Sequence, residues 1–90
     1  MASHKEVLNF AKKLKSKNPN LTRNEMKGLL EAHFVKGYSS DVVLSGAVAN
    51  PMDFLEGLGT ILKGLIHIFN GDNKGIRDII EGVLIILYER

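Results

Sequence analysis

Apolar residues recur every three or four positions through the first 37 residues, the spacing typical of amphipathic helices. Two helices are predicted there, over 3–17 and about 23–35, separated by an Asn-Pro-Asn turn. Each begins with Ser or Thr followed three residues later by Glu, a capping box that satisfies free amides of the first turn. The inward faces comprise Val7, Phe10, Ala11 and Leu14 in the first helix and Met26, Leu29, Leu30 and Phe34 in the second. Segment 1–37 is therefore predicted to be a helical hairpin.

The segment 38–50 has two interpretations. Ser39 or Ser40 is a suitable N-cap for a short helix, whereas the adjacent valines 42 and 43 also suit a strand. We favour the helix. Its inward residues would be Val43, Leu44, Ala47 and Val48.

A longer helix is predicted over 51–69, because Asn50 is a good N-cap and proline is favoured at the first helical position. Its apolar residues follow a heptad spacing, which indicates packing against another helix. The seam consists of Phe54, Leu58, Ile61, Leu65 and Ile68.

The last helix is predicted to begin after Asp72 or Asn73 and to run to about Glu89. Six apolar residues in succession, 83–88, also permit a strand, but the preceding helical pattern favours a helix. A helix end that is apolar on all sides has to be covered on all sides. We expect a partner to supply part of that cover.

These elements predict an all-α fold of four or five helices, either a small bundle or an irregular orthogonal array. Ninety residues form a single domain, 1–90, at the small end of the usual range. It comprises a basic hairpin over 1–37, a connector or short helix over 38–50 and an apolar hairpin over 51–90.

The composition excludes several kinds of chemistry. Without cysteine there is no disulfide scaffold, thiol nucleophile or zinc–sulfur site. The sequence contains no phosphate-binding glycine loop, nucleophile elbow or histidine pair at metal-binding spacing. The stretch 69–81 resembles a calcium-binding EF-hand loop, but Lys74 stands where a ligating oxygen belongs. We therefore predict no enzymatic activity, no metal, no cofactor and no small-molecule substrate.

The start of the chain lacks the apolar core of a signal peptide, and no uninterrupted apolar stretch is long enough to span a bilayer. These features predict an intracellular location, with a virion or a membrane surface as alternatives.

The formal charge of +2 conceals an asymmetry along the chain. Residues 1–37 carry eight Lys/Arg and three acids, a net +5, whereas residues 38–90 carry four and seven, a net −3. A basic segment of this kind can neutralise phosphates without recognising a base sequence. The predicted anion-binding residues are Lys5, Lys12, Lys13, Lys15, Lys17, Arg23 and Lys27. A solvated face that only keeps the protein soluble is the alternative interpretation.

The apolar back half predicts a homo-oligomer. Its contact face would comprise Phe54, Leu58, Ile61, Leu65, Ile68, Leu84, Ile85, Leu87 and Tyr88. The combined interpretation is a self-associating protein that binds nucleic-acid backbone in a structural or assembly role, by analogy with virus-like structural proteins. Two alternatives stay open: an amphipathic protein that contacts membranes through 51–69 and 76–88, and an adaptor or inhibitor that holds a helix of another protein in an apolar groove.

Overall fold

The structure, a computed structural model, describes residues 3–62 and 74–89, with side chains over 3–57 and 74–89. Those ranges contain five helices and no strand, which confirms the predicted all-α class and the helical alternative for both ambiguous segments. The helices are α1 (His4–Lys17), α2 (Arg23–Phe34), α3 (Ser40–Ala49), α4 (Pro51–Leu62) and α5 (Lys74–Tyr88).

Local hydrogen bonds define the predicted helix starts. The Ser3 hydroxyl accepts from the Glu6 amide at 3.2 Å, and the Glu6 carboxylate accepts from the Ser3 amide at 3.3 Å. Thr22 and Glu25 make the same pair of bonds at 3.2 and 2.9 Å. Both capping boxes are therefore present, and each satisfies donors that a first helical turn leaves free.

The chain between α2 and α4 is also set by local chemistry. Gly37, with φ at +82°, takes the left-handed conformation that lets the Tyr38 amide reach back to the Ala32 carbonyl at 3.0 Å. The Ser39 hydroxyl accepts from the Val42 amide and caps α3. The Asn50 side chain accepts from the Asp53 amide at the start of α4.

The core lies between α1, α2 and α5, which pack against one another. Its side chains are fully or almost fully buried because each helix turns its apolar face inward. The main contributors are Val7, Ala11 and Leu14 from α1, Met26, Leu29 and Leu30 from α2, and Ile80, Val83 and Leu84 from α5.

α4 packs against α2 and α3 where glycine leaves room. A Cβ at Gly28 of α2 would lie 2.8 Å from Leu55 Cδ1, and a Cβ at Gly46 of α3 would overlap the ring of Phe54. Two adjacent side chains of α4 thus occupy gaps above the backbones of two different helices. Glycine lowers helix propensity, but at these two sites it permits the close approach.

The two predicted hairpins differ in their packing. α1 and α2 pack on each other as predicted, whereas the main partners of α4 are α2 and α3, and those of α5 are α1 and α2. The predicted packing of 51–69 against 74–89 stays a prediction, because residues 63–73 lie outside the described residues. Several sequence-based predictions lie outside the described residues: the end of the long helix near residue 69, Leu65 and Ile68 of its seam, and the cap at Asp72 or Asn73.

Candidate anion-binding face and apolar surfaces

The solvent side of α1 carries three exposed lysines, Lys5, Lys12 and Lys13. They lie opposite the face that contributes Val7 and Leu14 to the core, because side chains on a helix repeat every 3.6 residues. None of the three forms an ion pair within the described part of the chain. Their positive charge is therefore available to an external anion.

Arg23 and Lys27 of α2 are instead paired with acids of α5. The Arg23 guanidinium donates to Glu81 at 2.8 Å and to Glu89 at 2.9 Å. The Lys27 ammonium lies 3.3 Å from the other oxygen of Glu81. The hydrogen bond to Glu81 raises the pKa of Arg23, and the bonds from Arg23 and Lys27 lower the pKa of Glu81. These two predicted anion-binding residues thus have intramolecular partners.

Lys15 lies against an aromatic ring. Its ammonium is 4.1 Å from the centroid of the Tyr88 ring, within the range of a cation–π contact. The Tyr88 hydroxyl donates to the Leu21 carbonyl at 3.0 Å, and partial burial raises the pKa of that hydroxyl. Lys15 and Tyr88 therefore help join α1 to the end of α5.

Lys17, at the end of α1, is exposed and lies beside α3, where it lines a shallow depression with Leu44 and Val48. The neighbouring Asn18 side chain donates to the Ala47 carbonyl at 2.9 Å and holds the two helices together. The structure thus places Lys17 next to α3.

The residues predicted to form one self-association face are spread over the fold. Leu84 is completely buried in the core, so it contributes to no surface. Phe54 packs at Gly46, and Leu87 and Tyr88 are half-buried against the core, whereas Ile85 is 49% exposed. The remaining four, Leu58, Ile61, Leu65 and Ile68, lie outside the described side chains.

Sequence reasoning missed the exposed apolar surface around α3. Val42 is 45% exposed and Val48 is 56% exposed, and Met52 at the start of α4 is 51% exposed. An open groove of about 620 Å³ runs between α3 and α4, with Asp41 and Asp53 among its lining residues. The signal was present in the sequence, because valines and alanines occur on more than one side of α3. The prediction that Val48 faces inward is wrong, since that residue lies on the exposed side.

His33 lies in a small aromatic cluster. Its ring centroid is 4.5 Å from that of Phe10 and 4.6 Å from that of Phe34. Its Nδ1 is 2.7 Å from the Tyr38 carbonyl oxygen, so this nitrogen carries the proton and donates. These contacts tie the end of α2 to α1 and to the following turn.

Within the ranges 3–62 and 74–89, no group of three or more His, Cys, Asp or Glu side chains is arranged to hold a metal ion. No helix in those ranges has both the length and the apolar character needed to span a membrane.

The chain matches no family model, and comparison with curated proteins and with solved structures gives no significant match. Of the seven cations predicted to bind an anion, the structure leaves Lys5, Lys12 and Lys13 together on one solvent-facing side of α1. Of the other four, Lys15 lies against the Tyr88 ring and Lys17 lies beside α3, whereas Arg23 and Lys27 contact acids of α5.

Proposed function

We propose that this protein binds nucleic acid through the phosphate backbone, without reading base sequence, in a non-enzymatic structural role. The observation that carries the proposal is the group of exposed lysines on α1, Lys5, Lys12 and Lys13, none of which has an ion-pair partner within the described residues. Cations on one helix face can contact successive phosphates and release the counterions condensed there. We refer to these three residues as the α1 lysine face.

The charge distribution favours backbone contact over base recognition. Lysine is a flexible point charge, whereas recognition of base edges typically uses the planar groups of Arg, Asn or Gln. The neighbouring helix α3 carries no cation. Its exposed residues include Asp41 and Val42, which cannot donate hydrogen bonds to base edges from their side chains.

A salt titration of binding to a fluorescent 20-nucleotide duplex and to the matching single strand tests the proposal. With three phosphate contacts, the logarithm of the duplex affinity should fall with the logarithm of salt concentration with a slope of about −3. The double variant Lys12→Gln/Lys13→Gln should lower the magnitude of that slope by about two and weaken binding. Fluorescence anisotropy measures both quantities.

A charge-matched control is Lys27→Gln/Lys74→Gln, which removes the same net charge from other surfaces of the fold. Equal losses for the two double variants would mean that only net charge matters and would contradict the assignment of a site to α1. Absence of any salt-dependent binding would contradict the proposal as a whole. Retention on neutral lipid vesicles in high salt, without nucleic-acid binding, would instead support the membrane alternative.

A further inference from the structure

The α1 lysine face belongs to a continuous polar surface. Asn9 and Ser16, both exposed, lie on the same side of α1 as the three lysines. The five positions occupy about 100° of the helix circumference and about 16 Å of its length. The one acid of α1, Glu6, lies beside this surface, and its carboxylate accepts from the Ser3 amide at the start of the helix. A ligand on this surface therefore meets cations and uncharged polar groups.

Both aromatic rings of α1 lie outside the lysine face. The half-buried Phe10 packs edge-on against Phe34, with ring centroids 5.7 Å apart. The His4 ring lies over Gly82 of α5, where a Cβ would be 3.0 Å from its Cε1. The other Phe and Tyr side chains among the described residues are partly buried against the core: Phe34, Tyr38, Phe54 and Tyr88. No ring of the described side chains therefore stands among the lysines.

Single-stranded and duplex nucleic acids differ in what they require of a binding surface. Proteins that bind single strands without base recognition combine cations with aromatic rings, on which the unpaired bases stack. The bases of a duplex are already stacked on one another, and its phosphates present one negative charge per about 1.7 Å of helix axis. A face that has cations but no aromatic ring meets the requirement of a duplex and lacks half of what a single strand requires.

We propose that the α1 lysine face binds duplex nucleic acid in preference to single strands. This preference rests on the proposed function, because it specifies which form of nucleic acid the same face binds. With three phosphate contacts, counterion release gives salt slopes of about −2.7 for a duplex and about −2.1 for a single strand. That difference alone favours the duplex about fourfold at about 0.1 M salt, relative to 1 M. A single strand is also ordered when it binds, and no stacking on α1 offsets that cost.

A competition experiment with the full chain measures the preference. A fluorescent 20-nucleotide duplex is bound first, and its displacement by unlabelled duplex and by an unlabelled, non-self-complementary single strand is followed by anisotropy. The two competitors are compared per phosphate at about 0.1 M salt. The duplex should compete at least about fourfold better than the single strand.

The outcomes separate this preference from the proposed function. Competition by the single strand that equals or exceeds that by the duplex would overturn the preference and leave nucleic-acid binding itself intact. If neither a labelled duplex nor a labelled single strand binds at any salt concentration, the proposed function fails, and the preference fails with it.

Adding an aromatic ring to the lysine face tests the physical reason for the preference. Asn9→Trp places an indole among the lysines, where unpaired bases can stack on it. Single-strand affinity relative to duplex affinity should rise about fivefold or more, which removes the preference. Met52→Trp is the matched control, because Met52 is 51% exposed at the start of α4, a helix that packs mainly on α2 and α3. It should keep the wild-type ratio of the two affinities.

The introduced indole also reports directly on stacking, since the natural sequence contains no tryptophan. Single strands should quench the fluorescence of Asn9→Trp more strongly than duplex does, and neither should quench that of Met52→Trp. Circular dichroism checks that both variants keep the wild-type helix content. An unchanged affinity ratio in Asn9→Trp, or an equal change of the ratio in Met52→Trp, would overturn the assignment of the preference to the lysine face of α1.

Discussion

The cations of α1 and those of α2 look alike in the sequence but have different environments in the fold. On α1, Lys5, Lys12 and Lys13 face solvent without acidic partners in the described part of the chain. On α2, Arg23 and Lys27 contact Glu81 and, through Arg23, Glu89 on α5. One group remains free for an external anion, and the other joins two helices.

This difference explains part of the charge asymmetry along the chain. Some basic residues of segment 1–37 pair with acidic residues of segment 38–90, because α5 packs against α2 in the fold. Arg77 of α5 and Glu31 of α2 add a fourth contact at 3.8 Å with the charges reversed. Exposed ion pairs stabilise a fold only slightly, so their main effect here is to reduce the number of cations open to a ligand.

If the packing of α5 is weakened, Arg23 and Lys27 lose their acidic partners and no longer differ from the α1 lysines. Leu84→Ala removes a fully buried side chain between α5 and the other core helices and should lower the free energy of unfolding by about 2–5 kcal/mol. Ile85→Ala, at the adjacent exposed position, should change it by only about 0.5 kcal/mol. Urea denaturation followed by circular dichroism measures both. Similar losses for the two variants would mean that α5 does not pack as described.

A substitution at the N-cap of α2, next to Arg23, should have a smaller effect on the free energy of unfolding. Thr22→Ala removes the hydroxyl that accepts from the Glu25 amide and should lower the free energy of unfolding by about 1 kcal/mol. Nucleic-acid affinity should stay unchanged, because the α1 lysine face is not touched. Thermal unfolding and anisotropy test the two statements, with Thr22→Ser as a control that retains the cap.

Protonation of the acids in the α2–α5 contacts at low pH should change the free energy of unfolding least. The pKa of Glu81 is lowered by its bonds to Arg23 and Lys27, so its contribution to stability is complete above the ordinary pKa of 4.5 and is lost as the pH falls through the lowered value. Glu81→Gln should flatten that part of the stability–pH curve. A wild-type curve and a Glu81→Gln curve that fall in parallel below pH 4.5 would contradict the pairing.

The sequence predicted the helix starts well because their chemistry is local. The caps at Ser3, Thr22 and Asn50 act on amides three residues away, and all three are present. The left-handed glycine after α2 is equally local. Such features can be identified without knowledge of the tertiary fold.

Long-range relations could not be predicted in the same way. Arg23 pairs with an acid 66 positions later in the chain, and no spacing rule connects the two residues. The packing of α4 on α2 and α3 is long-range in the same way, because a heptad seam indicates a helical partner without identifying it. Glycines at positions 28 and 46 direct Leu55 and Phe54 to other helices, and their effect becomes visible only in three dimensions.

The return of α5 to α1 and α2 has a consequence for how the chain acquires its structure. The buried residues Leu29 and Leu30 of α2 are synthesised about 50 residues before the buried side chains of α5, the helix that packs on α2. At ordinary translation rates of about 5–20 residues per second, that delay lasts seconds, far longer than a helix needs to form. Until α5 has been synthesised, the apolar faces of α1 and α2 lack the α5 side chains that complete their core, among them Ile80, Val83 and Leu84.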